Sequence, residues 1–283
     1  MRLTNNSVHV WVCDPRKLQA AEALHQLSAS LSPHERLRYR KFHFAGDRHA
    51  FLVAHGLLRH LVSLYIGGEA RRHEFLTMEH GRPELVQEDS EDALRFNISH
   101  TCSSIAWAFS RGKPCGVDVE QVRYDSPITP LTEASCSPEE RHRLSLLHGA
   151  AKTLEFYRIW CLKEAVLKGC GLGLIDHLDS ITTHEVGAGH FRAEDRMRRI
   201  PDQESWFLQA QPHGDSHMLA IAYRQDVGWK PTIQIMHVDE RCIPRSGADL
   251  RCPAYLGANA PVPRLNRPVV ALPCLAWPDP LVP

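Results

Sequence analysis

The sequence has no excess of either charge, no closely paired cysteines and no long apolar run, and each absence disfavours a class of protein. Its 283 residues include 33 lysines and arginines against 33 aspartates and glutamates, so the overall charge favours neither a nucleic-acid coat nor an acidic tail. The nine cysteines contain no C-x-x-C pair, which disfavours a zinc site and a disulfide framework. The first residues lack an apolar signal region, and no stretch approaches the about 20 uninterrupted apolar residues of a membrane span. We therefore expect a soluble cytoplasmic protein.

Basic residues are nevertheless concentrated in one part of the chain. Between residues 34 and 72, the basic residues are Arg36, Arg38, Arg40, Lys41, Arg48, Arg59, Arg71 and Arg72, and the acidic ones are Glu35, Asp47 and Glu69. A helical projection places Arg48, His55 and Arg59 on one stripe. This stripe fits a cleft that binds phosphate, and it fits an ordinary solvated helix face as well.

The same pattern of elements occurs twice along the chain. Residues 32–35 (S-P-H-E) and 137–140 (S-P-E-E) are capping boxes, in which a serine at the N-cap and a glutamate three residues later satisfy backbone N–H groups. Each box begins a charged helix and is followed by a longer helix, predicted over about 48–65 and about 154–170. We predict an α+β fold of two similar halves related by pseudo-twofold duplication, with the active site at their interface.

The composition also suggests where the halves begin and end. With 43% hydrophobic residues, the chain can form two modest cores. The predicted halves span residues 1–112 and 113–238. Residues 239–283 include nine prolines and show no helical or strand period, so we predict an extended or disordered tail. A partner-binding tail and an extension without a function both fit this composition.

Two segments of the second half carry the most informative chemistry. Residues 116–120 (G-V-D-V-E) alternate, which places Asp118 and Glu120 on one side of a strand. Residues 160–168 contain no proline or glycine, and on the predicted helix Glu164 and Lys168 share a face. Lys163 projects among apolar residues and needs an acidic partner or a route to water. An ordinary surface ion pair between Glu164 and Lys168 remains the simpler interpretation of the helix alone.

If the helix packs on the strand, three carboxylates converge. Like charges about 4 Å apart repel by roughly 4 kcal/mol at an effective dielectric constant near 20. Such a cluster therefore requires a cation among its members. Hard oxygen ligands suit Mg²⁺, an ion that commonly binds phosphates in enzymes.

At these segments the chain resembles a known family, the 4'-phosphopantetheinyl transferases, and within it the larger monomeric Sfp type. That family has a G-[VI]-D-[VI]-E-like segment followed by W-[STC]-x-K-E-[AS]-x-x-K, and both are complete here, at 116–120 and 160–168. The segments 96–100 (F-N-I-S-H) and 81–83 (G-R-P) also resemble the family's coenzyme-binding elements. The four elements occur in the family's order.

The resemblance implies a function and a set of roles. It implies Mg²⁺-dependent transfer of the phosphopantetheine arm from coenzyme A to a serine of an apo acyl or peptidyl carrier protein, with release of 3',5'-ADP. The implied metal ligands are Asp118, Glu120 and Glu164. Glu164, or a water it positions, is the implied base, and Lys168 is implied to stabilise the leaving phosphate. The residues expected to bind coenzyme A are Arg38, Arg48, Arg82, Ser99, His100 and Lys168.

One family position differs, because many relatives carry an arginine where this chain has Gly46. Arg48 is the expected substitute. The first half is expected to bind the coenzyme and the second half to hold the metal and the catalytic residues. We expect the carrier to dock on residues 122–152, where Leu131, Leu144, Leu146 and Leu147 form either an apolar patch or part of the core.

Two other functions remain as alternatives to the monomeric transferase. One is a binding module that uses the basic residues of segment 34–72 for an anion or a nucleic acid, but no established nucleic-acid motif is present and the acidic residues stay unexplained. A non-catalytic scaffold relative is the second alternative, and the intact acidic residues and Lys168 argue against it. We expect neither a nucleic-acid nor a membrane partner. Carriers of fatty-acid, polyketide, siderophore and peptide synthesis remain equally open as substrates.

Overall fold

The protein forms two α+β halves, as predicted from the duplicated pattern, and the structure shows that their sheets pack face to face. The computed structural model describes residues 1–78, 81–173, 175–187, 189–225, 231–239 and 242–243. Most of the predicted tail, 239–283, lies outside these residues.

Within its described residues, the first half contains five strands and three α-helices in chain order. They are β1 (Ser7–Cys13), α1 (Ala21–Ser30), α2 (Pro33–Lys41), α3 (Ala45–Ile66), β2 (Phe75–Thr77), β3 (Pro83–Leu85), β4 (Leu94–His100) and β5 (Ile105–Arg111). The described part of the second half contains three α-helices and five strands before the chain returns to the first sheet. They are β6 (Cys115–Gln121), α4 (Thr129–Ser135), α5 (Pro138–Ser145), α6 (Gly149–Cys170), β7 (Ile181–Gly187), β8 (His190–Asp195), β9 (Trp206–His213) and β10 (His217–Arg224), and β11 (Thr232–His237) follows.

Both capping boxes form as predicted. The hydroxyls of Ser32 and Ser137 accept the backbone N–H of Glu35 and Glu140, whose carboxylates accept the serine N–H in return. The two long helices begin earlier than predicted, at residues 45 and 149, and each ends beside a glycine with positive φ, Gly67 at 74° and Gly171 at 75°. A left-handed conformation is favourable for glycine because it has no Cβ.

The order of layers is helix, sheet, sheet, helix. The first sheet has the order β11-β1-β5-β4 and the second has the order β6-β10-β9-β8-β7, while β2 and β3 form a separate hairpin. Alternation along β1 shows how the layers form: Trp11 packs in the core beneath α3, whereas Val10 and Val12 pack against the second sheet. α6 covers the other face of the second sheet.

The segment after β10 returns to the first half, which differs from the predicted boundary at residue 238. β11 pairs in parallel with β1 at the edge of the first sheet. The side chains that follow it, Val238, Cys242 and Ile243, are buried in the core beneath α3. The sequence analysis placed residues up to 238 in the second half because they follow it along the chain. That assignment is wrong for β11, because strand pairing rather than sequence order decides which sheet a strand joins.

Two further properties bear on the exclusions made from composition. α3 is long and apolar enough to cross a membrane by length and composition, but its apolar side chains form the core of the first half.

Most cysteines in the described part of the chain are free thiols, Cys13, Cys115, Cys136, Cys161, Cys170 and Cys242. Cys102 differs from them because it is disulfide-bonded.

Candidate active site

The acidic strand and the second long helix meet as the sequence predicts. Val117 and Val119 of β6 point into the core between the sheets, so Asp118 and Glu120 lie on the opposite face, toward α6. The helix can approach closely because β6 carries glycine at position 116. A Cβ there would lie 1.9 Å from the carbonyl oxygen of Ala165, so any larger residue would push α6 away from the carboxylates.

Asp118, Lys168 and Ser99 form a closed group drawn from three elements. The Lys168 Nζ lies 2.5 Å from Asp118 Oδ1 and 3.0 Å from Ser99 Oγ. The Ser99 hydroxyl donates to Asp118 Oδ1 at 2.9 Å. Asp118 is 1% exposed, whereas the Lys168 side chain is 29% exposed. A cation that reaches solvent is therefore held against a buried carboxylate at the interface of the halves.

The pKa values of the other two carboxylates, Glu120 and Glu164, are raised by burial and by neighbouring negative charge. Burial, followed by the charges of Asp118 and Glu164, raises the pKa of Glu120 to about 8 against the opposing effects of Lys168 and a hydrogen bond from Trp160. Burial and the charge of Asp118 raise the pKa of Glu164 to about 7, although Lys168 opposes the shift. Burial alone would lower the pKa of Lys168, but the nearby Asp118 and Glu164 carboxylates raise it. The cluster thus has more negative charge than one ammonium offsets.

These residues fit a divalent cation with oxygen ligands. Asp118 Oδ2 and Glu164 Oε1 are buried, and neither atom has a hydrogen-bond partner in the described chain. Unpaired buried carboxylate oxygens are costly, and a hard cation such as Mg²⁺ satisfies them. Within the described residues, no three acidic, histidine or cysteine side chains are already arranged as a ligand set. Asp118, Glu120 and Glu164 are therefore close and electrostatically linked, but they do not form a preassembled metal centre.

Arg82 and His100 of the first half both lie near Lys168 of α6. Arg82 contacts the backbone of that residue, and His100 is close enough to its ammonium to feel its charge. Arg82 Nη1 donates to the carbonyl oxygen of Lys168 at 3.2 Å, near the C-terminus of α6. His100 follows Ser99 at the end of β4. Burial and the charge of Lys168 lower the pKa of His100 to about 4, so this imidazole is neutral at physiological pH.

Arg38 and Arg48 lie on the helices of the first half rather than against the carboxylates. The Arg38 guanidinium lies 5.6 Å from the ring centre of Phe51, which stacks on His55 at 4.1 Å. Arg48 Nη2 donates to the carbonyl oxygen of Phe42 at 2.9 Å. The Nε atoms of both arginines are buried without a partner in the described part of the chain, which leaves each with a donor for an anion.

The predicted basic stripe does not form, because Arg59 is a core residue. Arg59 is 1% exposed, and its Nε donates to Glu35 at 2.7 Å. His55 Nδ1 lies 3.2 Å from the same carboxylate. A helical projection cannot reveal this burial, since it treats a polar face as solvated and omits the packing of α2 on α3.

The second half repeats this arrangement with a different cation. Lys163 of α6 is buried, and its Nζ lies 2.6 Å from Glu140, the capping-box glutamate of α5. The ammonium also donates to the carbonyl oxygens of Ser135 and Leu178. The predicted need of Lys163 for an acidic partner is confirmed, and the pair matches Glu35 with Arg59 in the first half.

Ser99, which the resemblance implies is a coenzyme-binding residue, lies against Asp118 and Lys168. The residue is 5% exposed, and its hydroxyl contacts Asp118 and Lys168. Its neighbour Asn97, which the sequence analysis did not select, accepts the backbone N–H of Val117 through Oδ1 at 3.0 Å. Only its position in the same motif, two residues before Ser99 on one strand face, signals Asn97 in the sequence.

The segment expected to receive the carrier is partly core and partly surface. Leu144 is 1% exposed and packs beneath α6. Leu131 and Leu146 are 47% and 68% exposed, and Tyr124 nearby in the chain is 43% exposed. Leu144 therefore belongs to the core, whereas Tyr124, Leu131 and Leu146 form the exposed apolar surface of this segment.

Comparison with known proteins covers both halves of the fold. The family model of the 4'-phosphopantetheinyl transferase N-terminal part matches residues 18–111, and that of the 4'-phosphopantetheinyl transferase superfamily matches residues 114–222. The 4'-phosphopantetheinyl transferase HetI of Nostoc sp. is 31% identical over 233 residues, which cover 82% of this chain and 93% of HetI. The 4'-phosphopantetheinyl transferase Sfp of Bacillus subtilis is 30% identical over 210 residues, 74% of this chain and 84% of Sfp.

A solved holo-(acyl-carrier-protein) synthase from Bacillus anthracis overlaps 39% of this chain and 94% of its own, at 17% identity and a TM-score of 0.30. That likeness is too distant to bear on the fold. The sequence relatives and the two family matches are decisive, and they confirm the resemblance drawn from the four motifs. The protein belongs to the 4'-phosphopantetheinyl transferase superfamily and, within it, to the Sfp type.

Proposed function

We propose that the protein transfers the phosphopantetheine arm of coenzyme A to a serine hydroxyl of an acyl or peptidyl carrier protein and releases 3',5'-ADP. The observation that carries this proposal is the contact of Lys168 with Asp118 beside two further carboxylates, Glu120 and Glu164. A fixed cation next to unsatisfied carboxylate oxygens suits a reaction in which one phosphate is attacked and another departs.

The bond changes assign a task to each residue. The serine oxygen of the carrier forms a bond to the phosphorus that bears the pantetheine arm, and the bond from that phosphorus to the oxygen of 3',5'-ADP breaks. The electron pair leaves with the ADP, whose developing charge Lys168 stabilises. The serine proton passes to Glu164 or to a water that Glu164 positions.

The acidic residues would also hold the cation. Asp118, Glu120 and Glu164 would bind Mg²⁺, which when bound neutralises charge on the pyrophosphate. Arg82, His100, Arg38 and Arg48 would bind the coenzyme, the last two through donors that have no partner in the described chain. Both halves of the site come from one chain, which supports action as a monomer.

The proposed docking surface for the carrier is the exposed apolar part of segment 122–152. Tyr124, Leu131 and Leu146 are the exposed large apolar side chains there. Exposed apolar groups of this kind are typical of protein-binding surfaces when they lie together. A panel of apo carriers from fatty-acid, polyketide, siderophore and peptide synthesis tests which pathway supplies the carrier.

The decisive experiment is mass spectrometry of an apo carrier incubated with the protein and coenzyme A, with Mg²⁺ or with a chelator. We expect a mass increase of one phosphopantetheine group only when the metal is present. Asp118→Asn, which preserves shape while removing the charge, should abolish the increase. Asp215→Asn in the exposed turn between β9 and β10 is the matched control and should retain it.

The two alternatives make different predictions. A scaffold relative would modify no carrier under any condition. A nucleic-acid module would need the basic residues of segment 34–72 to face solvent, but Arg59 is buried against Glu35. Arg71 and Arg72 are exposed and lie beside Glu69, which weakens the positive field of the segment.

A further inference from the structure

The strand that carries Asp118 lies at the edge of its sheet. β6 pairs with β10 on one side, and side chains of β4 contact its backbone from the other half. The Val117 N–H donates to Asn97 Oδ1 at 3.0 Å, and the Val119 N–H donates to Ser99 Oγ at 3.3 Å. Asn97 and Ser99 are two residues apart on β4, and Val117 and Val119 are two residues apart on β6. Side chains of β4 therefore take the place of a neighbouring backbone strand along β6.

The hydrogen-bonding capacity of the Ser99 hydroxyl is completely used by these contacts. A serine hydroxyl donates one hydrogen bond and accepts two. Its hydrogen goes to Asp118 Oδ1, and its two acceptor positions receive Lys168 Nζ and the Val119 N–H. A phosphate oxygen can therefore bind Ser99 only if one of these contacts breaks.

This saturation also determines which oxygen of Asp118 is available. Ser99 and Lys168 both contact Oδ1, whereas Oδ2 is buried with no partner in the described chain. The Asn97 side chain adds a weaker contact from Nδ2 to the carbonyl oxygen of Lys168, at 3.5 Å. The two β4 side chains thus touch both the strand of Asp118 and the helix turn of Lys168.

We infer that Asn97 and Ser99 are positioning residues, which fasten the free edge of β6 to the first half and hold Asp118 with Oδ2 presented to the metal and Oδ1 against Lys168. The inference rests on the proposed function for its catalytic consequence. It differs from a coenzyme-binding role for Ser99, because a positioning residue acts equally on every substrate, whereas a contact to the 3'-phosphate acts only on ligands that carry that phosphate.

The test compares Ser99→Ala with Ser99→Thr and with Ser103→Ala. Ser103 is a suitable control because it is another buried serine, and its hydroxyl lies 2.8 Å from His217 Nε2. For each variant, kcat and KM are measured with coenzyme A and with dephospho-coenzyme A. The affinity for Mg²⁺ alone is measured by titration calorimetry, and thermal melting reports folding.

A positioning role predicts a common loss for both substrates. Ser99→Ala should lower kcat by about 10- to 100-fold with either one and weaken Mg²⁺ binding on a similar scale, as removal of a group that orients a metal ligand does. Ser99→Thr should restore most of both properties, and Ser103→Ala should retain them. Asn97→Ala should lower the melting temperature and reduce kcat equally with the two substrates, because the Val117 N–H loses its acceptor.

Two results would overturn the inference. One is a rise in KM for coenzyme A alone, with dephospho-coenzyme A and Mg²⁺ affinity unaffected, which would make Ser99 a phosphate contact. The other is unchanged Mg²⁺ affinity and unchanged kcat in a folded Ser99→Ala protein. If the wild-type protein modified no carrier, the proposed function would fail, and the Mg²⁺ titration of Ser99→Ala against Ser103→Ala would still decide whether Ser99 orients Asp118.

Discussion

The side chain of Lys168 shows how burial and charge compete at a single residue. Burial disfavours an ammonium, but Asp118 at 2.5 Å and the nearby Glu164 raise its pKa, so the group is charged at neutral pH. Because its side chain is 29% exposed, the charge faces both the buried carboxylate and the solvent. This placement suits a cation that can meet a phosphate on the solvent side of the site.

Lys168→Ala should therefore lower kcat by about 10²- to 10³-fold, the scale for loss of one preorganised electrostatic stabiliser. Coenzyme A affinity should change much less, since an interaction made mainly in the transition state affects kcat. Lys168→Arg should recover part of the rate, because it preserves the charge without the compact ammonium. Steady-state kinetics with melting as a folding check provide the measurement, and Lys17→Ala, at an exposed lysine, is the control. Weaker coenzyme binding with unchanged kcat would show a ground-state clamp instead.

A second residue-scale prediction concerns the coenzyme. Arg82→Ala and His100→Ala should each weaken binding of coenzyme A more than binding of dephospho-coenzyme A, since the proposed contact is to the 3'-phosphate. His100, with a pKa of about 4, is already neutral above pH 5, so in the free protein it offers a neutral hydrogen bond rather than a charge. Calorimetric titration with both ligands checks this. Equal losses for the two ligands would place these residues at another part of the coenzyme.

At the scale of elements, each long helix is anchored by the glutamate of the preceding capping box. Glu35 of α2 pairs with Arg59 of α3, and Glu140 of α5 pairs with Lys163 of α6. Each carboxylate also accepts the backbone N–H of its own N-cap serine. One side chain thus caps a short helix and fixes the position of a long one, which explains why the duplicated motif precedes both long helices.

Because of this anchoring, the free energy of unfolding should decrease at acidic pH. Burial opposes ionisation of Glu35, but the hydrogen bond and charge of His55, the charge of Arg59 and the Ser32 N–H lower its pKa from 4.5 to about 2. The folded state therefore binds this proton more weakly than the unfolded state, so the stabilisation is complete above about pH 4.5 and is lost as the pH falls toward 2. The difference corresponds to about 3 kcal/mol.

Chemical denaturation from pH 7 to pH 2.5 measures this dependence. Glu35→Gln should be less stable than the wild type at pH 7, because Arg59 stays buried without a carboxylate, and its stability should fall less steeply below pH 4.5. Glu22→Gln on the exposed face of α1 should follow the wild-type curve. Parallel acid curves for Glu35→Gln and the wild type would contradict the assignment.

At the scale of the whole molecule, the halves are joined by three kinds of contact. The sheets share a core of aliphatic side chains, β4 contacts the edge of β6 through Asn97 and Ser99, and the chain returns as β11 to pair with β1. The active site lies where β4, β6 and α6 meet, so its geometry depends on all three. Neither half alone contains both Ser99 and Lys168.

The return segment should accordingly contribute to stability. Ile243 is 5% exposed in the core of the first half, and Ile243→Ala should lower the free energy of unfolding by about 2–5 kcal/mol. Ile66→Ala is the matched control, because Ile66 is 43% exposed and its loss should cost within about 0.5 kcal/mol. Urea denaturation of the full chain measures both. Small and equal changes would mean that the segment after β11 does not pack on the first half.

The sequence by itself determined the features that depend on neighbouring residues. Both capping boxes, the glycine ends of the two long helices and the alternation of β6 follow from local backbone chemistry, so they were predictable within a few residues. The motifs at 81–83, 96–100, 116–120 and 160–168 likewise identified the family before any packing was known. Lys163 needed an acidic partner because a charge among apolar residues is unfavourable wherever it lies.

Only the tertiary structure decided features that depend on which surfaces meet. Arg59 has the same polar character on a helical projection whether it faces solvent or Glu35, and the packing of α2 on α3 made it a core residue. Ser99 and Asp118 are 19 residues apart, and no periodicity relates them. β11 joined the first sheet because the edge of β1 offered backbone partners, a choice set by long-range pairing. Local patterns specify an element and its faces, whereas the partners of each face depend on contacts between remote segments of the chain.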